Sequence, residues 1–282
     1  MNFISERFMK SQFPKEGLPI MFTIRGETDI PETELTHLDG YRGSKPVRIG
    51  NGAAFHKQFD IYGELMDGIY LYNKYGKPIT WDQWCSVRQM LDYVLTILDQ
   101  PDMSIWEVRN NKQHFTYSKI MLWVAFDRGL RLSEKRNFPC PNRAKWLEAR
   151  DTLYEEIMEK GYNTEMNCFI QSYENRTMLD SSILIAPLVF FIAPNDPRFL
   201  STMDRILLPP EKGGLTSTGL VYRYNTDLSD DGEFASIPMI RKNNSQTHRR
   251  ALTRPYRCWR PRGGFQHVRF LARRSHDSGE CL

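Results

Sequence analysis

The chain has 282 residues, of which 40% are hydrophobic and 12% aromatic, so it can bury a substantial core. Its formal net charge is +4, and its five cysteines are scattered, with no CxxC pair and no histidine at metal-ligand spacing. These features argue against a disulfide framework and a zinc site, and we expect no metal and no other cofactor.

The N-terminal residues resemble an amphipathic helix with an early acidic residue, and they lack the small-residue cleavage site of a signal peptide. The longest apolar run, residues 183–193, is interrupted by Pro187 and is too short to span a bilayer. We therefore expect a soluble chain without a membrane partner, and the cytoplasm is the favoured compartment.

Helical periodicity dominates the first 240 residues. Residues 52–75 place apolar and aromatic side chains at the spacing of one helix. Thr80 and Gln83 then form the pattern of a capping box, which predicts a helix that begins after Thr80 and carries apolar residues as far as Leu98.

Three further helices are predicted along the chain. Residues 116–133 and residues 142–160 each carry an apolar stripe at helical spacing. Asp196 and Pro197 fit the N-cap and the first position of a short helix that continues to Leu207.

Long polar connectors separate these helices: residues 39–52, the loop around Trp106 and Glu107, residues 166–176 and residues 220–224. Alternation of helices with long loops favours an all-α fold of packed helices, with the functional residues in the loops. Residues 18–24 and 220–224 are candidates for short strands within those loops.

Residues 241–282 differ from the helical body, residues 1–240, because they carry ten Arg and one Lys against two acidic residues and show no apolar period. A disordered, solvated tail is one interpretation of such a charge run. An aberrant sequence, produced by a reading-frame or splice error, is a second. A nucleic-acid-binding arm is the least favoured, with Tyr256, Trp259 and Phe265 available for stacking on bases.

The most informative segment is residues 101–119, in which Glu107 lies between Trp106 and Arg109. A carboxyl group against an aromatic side chain is partly desolvated and holds its proton more tightly, so it can donate that proton near neutral pH. Arg109 opposes this effect unless its charge is bound by a substrate hydroxyl or another carboxylate. The structural alternative is a helix-capping Glu beside a packed Trp.

Residues 15–240 resemble the catalytic domain of glycoside hydrolase family 15, which contains the glucoamylases and their trehalase-like and dextranase-like relatives. Several long motifs occur in the family's order. They are Leu18-Pro19-Ile20-Met21-Phe22, the connector from Leu38 to Asn51, Ser104-Ile105-Trp106-Glu107-Val108-Arg109, His114-Phe115-Thr116-Tyr117-Ser118-Lys119, Asp180-Ser181-Ser182 and Leu220-Val221-Tyr222-Arg223-Tyr224.

This resemblance implies an incomplete (α/α)6 toroid of the six-hairpin glycosidase type, in which the loops between helices line a funnel-shaped active site. It implies exo-acting, inverting hydrolysis of α-glucosidic bonds, with a small α-glucoside as the partner. Which linkage is cleaved, whether of trehalose, maltose, starch or isomaltose type, and the oligomeric state are left open.

The resemblance also assigns roles to individual residues. Glu107 matches the general acid, and Trp106 matches its neighbour in the substrate site. Arg223 matches an arginine that hydrogen-bonds the innermost sugar. The remaining predicted substrate-binding residues are Tyr41, Arg42 and Arg48, in a loop that walls the same pocket, and Arg109 and His114, from the pattern Trp-Glu-x-Arg…His-Phe-Thr. The alternatives are structural ion pairs for Arg48 and Arg223, and loop packing for Tyr41.

Two family motifs have no counterpart in this sequence. One is Trp-x-Arg-Asp, which grips the innermost sugar, and the other is the Ser-Glu-Glu or Ser-Glu-Gln loop with the general base. Glu233 and Glu280 have no supporting context for the role of base. We therefore expect a copy of the domain truncated at both ends and impaired in catalysis. The alternative is an inactive carbohydrate-binding or interaction fragment on the same fold.

Overall fold

The structure, a computed structural model, describes residues 17–108 and 111–225, together with residues 3, 4, 6 and 7. Its helices are α1 (Asp60–Tyr75), α2 (Trp81–Val94), α3 (Thr116–Arg136), α4 (Arg143–Lys160) and α5 (Pro197–Leu207). Its strands are β1 (Thr33–Glu34), β2 (Arg48–Ile49), β3 (Tyr162–Asn163), β4 (Cys168–Phe169), β5 (Thr216–Ser217) and β6 (Leu220–Val221). The predicted all-α class, with short strands confined to loops, is confirmed.

The residues fall into two compact units, one within Met1–Asn163 and Ile170–Arg176, the other within Thr164–Phe169 and Thr177–Leu282. The Arg-rich segment 241–282 lies outside the described residues. The division into residues 1–240 and 241–282 therefore stays a prediction.

Helix α3 is the centre of the first unit. It packs against α1, α2 and α4, and almost every side chain from Thr116 to Ser133 is buried. A helix that is buried on all sides needs apolar residues around its whole circumference, and the run from Ile120 to Phe126 supplies them. This places α3 as an inner helix of the unit.

The backbones of α1 and α3 approach each other closely at Gly63. A Cβ atom at this position would lie 2.0 Å from the carbonyl oxygen of Met121 on α3. Glycine is therefore required here by the packing of the two helices. This contact fixes the start of α1 relative to the start of α3.

The indole N–H groups of two tryptophans anchor α2 and α4. Trp84 donates to the Pro139 carbonyl oxygen at 3.0 Å, and Trp146 donates to Asp92 Oδ1 at 2.9 Å. The two rings meet edge to face, with centroids 6.2 Å apart. Burying an indole with its N–H satisfied gives a large apolar contact without an unpaired donor.

Helix α1 begins at Asp60, not at residue 52 as the periodicity predicts. The Asn51 side chain accepts from the Ala53 N–H and starts a separate 3-10 turn, Gly52–Phe55, which ends at His56 in extended conformation. The Phe59 N–H is then bound by Asp102. The apolar residues keep helical spacing through residues 52–59, but the hydrogen bonds accepted by Asn51 and Asp102 interrupt the helix there.

The other helix boundaries are confirmed within a few residues. Thr80 and Gln83 make both hydrogen bonds of the capping box. Asp196 accepts from the Arg198 N–H at 2.9 Å and caps α5. The predicted strand at residues 18–24 is wrong, because this stretch has no regular secondary structure.

In the second unit, α5 packs against β4, where the Phe169 N–H donates to Thr202 Oγ1 at 2.9 Å. Strands β5 and β6 form an antiparallel pair in which Thr216 faces Val221. The predicted strand within residues 220–224 is thus confirmed at its first two residues.

Candidate active site: the Glu107 turn

Glu107 lies on a short loop that is closed at its base by a two-residue antiparallel bridge. The Asp102 N–H donates to the Gln113 carbonyl oxygen at 3.0 Å, and the Gln113 N–H returns the bond at 3.1 Å. The chain therefore leaves this bridge after Asp102 and returns to it at Gln113, shortly before α3. The bridge therefore fixes the base of the loop next to the start of α3.

Within the loop, the backbone turns sharply at Ser104 and Glu107, and residues 104–107 are called the Glu107 turn below. Both residues have left-handed backbone angles, with φ of 63° and 58°. The Glu107 N–H donates to the Ser104 carbonyl oxygen at 3.1 Å, and the Val108 N–H donates to that of Met103 at 2.9 Å. Such angles cost roughly 1–2 kcal/mol per non-glycine residue, and strain of this kind clusters at functional sites. The turn leaves the Glu107 residue half-buried.

The Asn51 side-chain amide donates to the Glu107 carboxylate. The Asn51 Nδ2 lies 3.4 Å from Oε2 and 3.5 Å from Oε1. The same amide accepts from the Ala53 N–H through its oxygen at 2.8 Å, which fixes which end of the amide faces Glu107. Sequence reasoning did not single out Asn51, although it ends the connector that carries the family motif.

Arg48, on β2, is held by two carboxylates. Its guanidinium lies 3.1 Å from Glu34 Oε1 and 3.4 Å from Glu32 Oε1. Glu32 also accepts from the Gly52 N–H at 3.1 Å, so this cluster supports the residue next to Asn51. The structure thus gives Arg48 the ion pairs that were its structural alternative, and a contact with sugar stays a prediction.

Tyr41 and Arg42 occupy the exposed tip of the same connector. The Tyr41 side chain is among the most accessible aromatic groups of the described residues, at 79% exposure. The Arg42 guanidinium lies 5.3 Å from the centre of its ring. The pair can present a flat face and planar donors to a ligand, but its role at the site stays a prediction.

Trp106 is half-buried beside Glu107, and its backbone N–H donates to the Ser104 hydroxyl at 3.3 Å. Arg109, the other flank of Glu107 in the sequence, lies outside the described residues. The predicted opposition between the indole and the guanidinium therefore stays a prediction.

Both ring nitrogens of His114 are engaged by protein groups. Nδ1 lies 2.5 Å from Glu174 Oε1, and Nε2 lies 3.1 Å from the Asp99 carbonyl oxygen. The ring stacks on Tyr173 with centroids 6.1 Å apart. His114 thus ties the segment after α2 to residues 170–176, and its predicted contact with substrate stays a prediction.

A buried carboxylate, Asp102, lies beneath the Glu107 turn and is only 1% exposed. Its Oδ2 accepts from the Phe59 N–H at 2.8 Å and from the Ser118 hydroxyl at 2.7 Å. Burial raises the pKa of Asp102 to about 6, although these two hydrogen bonds act in the opposite direction. Sequence reasoning missed this residue.

Further ionisable groups surround Asp102. Burial raises the pKa of Asp60 well above its usual range, and Glu64 and Asp102 add to the effect. Burial also raises the pKa of Glu64, which accepts from the Tyr117 hydroxyl at 2.9 Å. Lys119, whose pKa is lowered by burial, bonds the Leu98 carbonyl oxygen and lies 3.6 Å from Glu156. Buried or partly buried ionisable groups thus lie beneath the starts of α1 and α3.

Arg223 belongs to the second unit. The Arg223 guanidinium lies 4.9 Å from the centre of the buried Tyr224 ring. The Arg223 carbonyl oxygen accepts from the Ser181 N–H at 2.9 Å. Asp180 caps the 3-10 turn Ser181–Ile185 through a 2.8 Å bond from the Ser182 N–H. Arg223 is therefore placed on an anchored loop. Glu233 and Glu280 lie outside the described residues.

A cleft of about 640 Å³ lies between α2 and α4, and its rim includes Asp92, Glu148 and Glu156. None of the predicted site residues lines it, so the sugar-sized pocket expected at Glu107 stays a prediction. Across residues 17–108 and 111–225, no cluster of three or more His, Cys, Asp or Glu side chains is suited to hold a metal ion. The described helices include none with the length and apolarity that a membrane crossing requires.

The model of glycosyl hydrolases family 15 matches residues 6–249. The trehalases of Mycobacterium tuberculosis and Mycolicibacterium smegmatis are 36% and 35% identical, and each alignment covers 82% of this chain and 33% of the relative. A trehalase of Thermoplasma acidophilum is 35% identical over 78% of this chain and 37% of that protein. The chain thus spans about a third of the length of these relatives.

Solved structures of glycosidase variants, one in complex with glucose, match with a TM-score of 0.52 at 16% identity. Each match covers 64% of this chain and 48% of the solved chain. Together with the family match, this likeness confirms the predicted fold, an incomplete (α/α)6 toroid.

Proposed function

The chain belongs to glycosyl hydrolases family 15, and from this premise we propose that it hydrolyses the α-glucosidic bond of a small glucoside, with Glu107 as the proton donor. The observation that carries the proposal is the Glu107 turn. A carboxyl group is held half-buried on a closed loop by two left-handed residues and by the Asn51 amide. A capping Glu beside a packed Trp does not require this backbone.

We propose α,α-trehalose as the first substrate to test. The support is that the curated relatives are trehalases at 34–36% identity. Maltose and soluble starch are the comparison substrates, because the sequence resemblance also includes glucoamylases. We propose exo-action, which means release of single glucose units from a chain end.

The proposed chemistry is inverting. Protonated Glu107 gives its proton to the glycosidic oxygen while the bond from that oxygen to the anomeric carbon breaks. A water molecule attacks the anomeric carbon from the opposite face, and a carboxylate base takes the water's proton. In such enzymes the two carboxyl groups are about 6.5–9.5 Å apart, which leaves room for the water. The base is not assigned to a described residue.

We propose distinct tasks for the other predicted residues. Asn51 orients the Glu107 carboxyl group. Trp106 and Tyr41 offer aromatic faces to the apolar faces of a sugar ring, and Arg42 and Arg223 offer planar donors to its hydroxyls.

Arg48 and His114 are proposed to act by holding the loop. The support is that Arg48 is bound by Glu32 and Glu34 and that both ring nitrogens of His114 have protein partners. Arg109 is proposed to contact substrate on the sequence resemblance alone.

The test is glucose release from trehalose, maltose and soluble starch by the parent chain and by Glu107→Gln, with Glu155→Gln as the surface control on α4. Loss of a general acid typically lowers the rate by about 10²–10⁴-fold. We expect that loss for Glu107→Gln and none for Glu155→Gln, and we expect proton NMR to show β-glucose as the first product.

An unchanged rate in Glu107→Gln would overturn the assignment of the acid. Saturable trehalose binding without glucose release, measured by calorimetry, would favour the alternative of a carbohydrate-binding fragment.

A further inference from the structure

We propose that Glu32 is a positioning residue for Glu107 and acts on it through Asn51. The Glu32 carboxylate anchors the connector on both sides of Asn51, and this anchoring holds the Asn51 amide against the proposed acid. The inference rests on the proposed function, because it takes Glu107 to be the proton donor. It assigns a task to a partly buried residue that lies outside all of the family motifs found in the sequence.

The first step is that Asn51 needs an anchor, because it lies between Gly50 and Gly52 and glycine has more backbone freedom than any other residue. Gly50 has a φ of 78°, and a Cβ atom there would lie 1.9 Å from the Pro31 carbonyl oxygen. The three atoms nearest to a Cβ atom at Gly52 all belong to the Glu32 carboxylate, at 3.6 to 3.8 Å. The segment that precedes β1 therefore holds both neighbours of Asn51.

The second step is that the Glu32 carboxylate bonds the chain on both sides of Asn51. Its Oε2 accepts from the Gly52 N–H at 3.1 Å, directly after Asn51. Its Oε1 lies 3.4 Å from Arg48 Nε, on strand β2, which precedes Asn51. The Glu32 side chain is 21% exposed, so water screens these contacts only in part, and a hydrogen bond to an ionised carboxylate is stronger than one between neutral groups. One side chain thus spans residues 48–52.

The third step is that the contact of Asn51 with Glu107 is sensitive to position. Asn51 Nδ2 lies 3.4 and 3.5 Å from the two Glu107 carboxylate oxygens, longer than the roughly 2.7–3.2 Å typical of N–H···O bonds. Asn51 Oδ1 accepts from the Ala53 N–H, so the side chain moves with the backbone of the 3-10 turn. A small displacement of this turn therefore breaks the contact, and the Glu32 bond to Gly52 opposes that displacement.

Substitutions in this cluster separate the two bonds of Glu32. Glu32→Ala removes both acceptor oxygens. Glu32→Gln keeps one amide oxygen, which can accept from the Gly52 N–H, whereas its NH2 group cannot accept from Arg48. Glu34→Ala is the matched control, because Glu34 bonds the same Arg48 guanidinium at 3.1 Å, whereas the Gly52 N–H bonds Glu32.

The test is NMR of the full chain. In the parent we expect a nuclear Overhauser effect between the Asn51 side-chain amide protons and the Glu107 γ protons, because the two groups are in contact. In Glu32→Ala this signal disappears, and hydrogen exchange of the Gly52 backbone amide becomes about tenfold faster, because the amide has lost its acceptor. In Glu32→Gln and in Glu34→Ala the signal and the Gly52 exchange rate stay close to those of the parent.

Absence of the Asn51–Glu107 signal in the parent overturns the proposal, and so does its survival in Glu32→Ala. Loss of the signal in Glu34→Ala or in Glu32→Gln also overturns it, because the ion pairs of Arg48 and not the bond to Gly52 would then hold Asn51. Glu32→Asp draws the carboxylate back by one methylene group. We expect it to lose the signal as Glu32→Ala does, so it gives the same decision if the alanine variant does not fold.

Catalysis supplies a separate comparison. An α-glucosyl fluoride needs little protonation of its leaving group, whereas trehalose needs a general acid. We expect Glu32→Ala to lower kcat on trehalose about tenfold with little change in KM and to spare the fluoride, and we expect Glu32→Gln to recover most of this loss. An equal loss on both substrates overturns the positioning role. If Glu107→Gln has no effect on turnover, the proposed function fails, and the NMR measurements still decide whether Glu32 holds Asn51 against Glu107.

Discussion

The Asn51 amide nitrogen lies 3.4 Å from Glu107 Oε2, although the two residues are 56 positions apart in the chain. The opposite end of the same amide caps the 3-10 turn that follows it. The Asn51 side chain therefore has a fixed orientation and presents its donor to the proposed acid. Changes at this position alter the charge facing Glu107 while the cap can be preserved.

Asn51→Asp keeps the capping oxygen but places a second negative charge next to Glu107. Like charges at this distance favour the protonated form of a carboxyl pair. We expect the alkaline limb of the rate–pH profile on trehalose to move upward by about one unit. Asn51→Ser, which also caps but carries no charge, should move it less. If both variants keep the parent profile, Asn51 does not control the Glu107 carboxyl group.

The close contact of α1 with α3 predicts opposite effects for two glycines of one helix. Gly63→Ala places a methyl group 2.0 Å from the Met121 carbonyl oxygen, so we expect a loss of about 3 kcal/mol in unfolding free energy. Gly68→Ala meets open space and should gain up to about 1 kcal/mol through helix propensity. Urea unfolding measures both changes in the free energy of unfolding, provided that the m-value is the same in the parent and the variants. Equal effects would contradict the observed backbone contact.

Asp60 predicts a pH dependence of stability. Its pKa in the folded chain is raised, first by burial and then by Glu64 and Asp102, so the folded state holds the proton more tightly than the unfolded state. The stabilisation from this group is fully present below about pH 4 and is lost as pH rises through the folded pKa. Asn carries no such proton.

We therefore expect the free energy of unfolding of Asp60→Asn, relative to the parent, to increase as pH rises. Urea unfolding in buffers between about pH 4 and 9 measures this difference. Asp82→Asn, at an exposed position in the first turn of α2, is the matched control. A flat difference for Asp60→Asn would show that Asp60 titrates as it does in the unfolded chain.

Two arginines that share Asp127 should differ strongly in their contribution to stability. Arg128 is 1% exposed, lies 2.5 Å from Asp127 Oδ2 and 2.6 Å from Asp67 Oδ1, and covers the Tyr70 ring. Arg128→Met leaves the buried carboxylate of Asp127 without this partner, which typically costs about 3–5 kcal/mol.

Arg131 bonds the same Asp127 Oδ2 at 2.7 Å, but half of its side chain is exposed. Arg131→Met should therefore cost no more than about 1 kcal/mol. Thermal unfolding of the two variants under identical conditions tests the contrast. Similar losses would mean that Arg128 is more hydrated than its burial indicates.

The sequence predicted well those elements whose signals are local. Thr80 and Gln83 are three residues apart, and they cap α2 as expected. The apolar stripes of α3 and α4 placed both helices within a few residues of their observed bounds. The start of α1 was misplaced because apolar spacing continues through residues 52–59, whereas side-chain bonds from Asn51 and Asp102 interrupt the helix.

The candidate site was predictable only in part. Glu107 was found through its motif, and its place on a strained turn agrees with a special role for the residue. Asp102 is adjacent to the same motif, but its carboxylate is bonded by Phe59 and Ser118, which are 43 and 16 positions away. Single-sequence patterns do not encode such distant partners, so the groups beneath Glu107 could not be ranked.

Residues 170–176 help to hold the base of the loop that carries the Glu107 turn. The Thr116 N–H donates to the Gln171 carbonyl oxygen, and Phe115 bridges Ser172, so the base of the turn is completed by chain that follows α4. Contacts between such distant segments form late, because their closure entropy must first be overcome. A nascent or excised stretch around Glu107 therefore has the motif without these contacts, and the loop can reach the described geometry only after residue 176 has been synthesised.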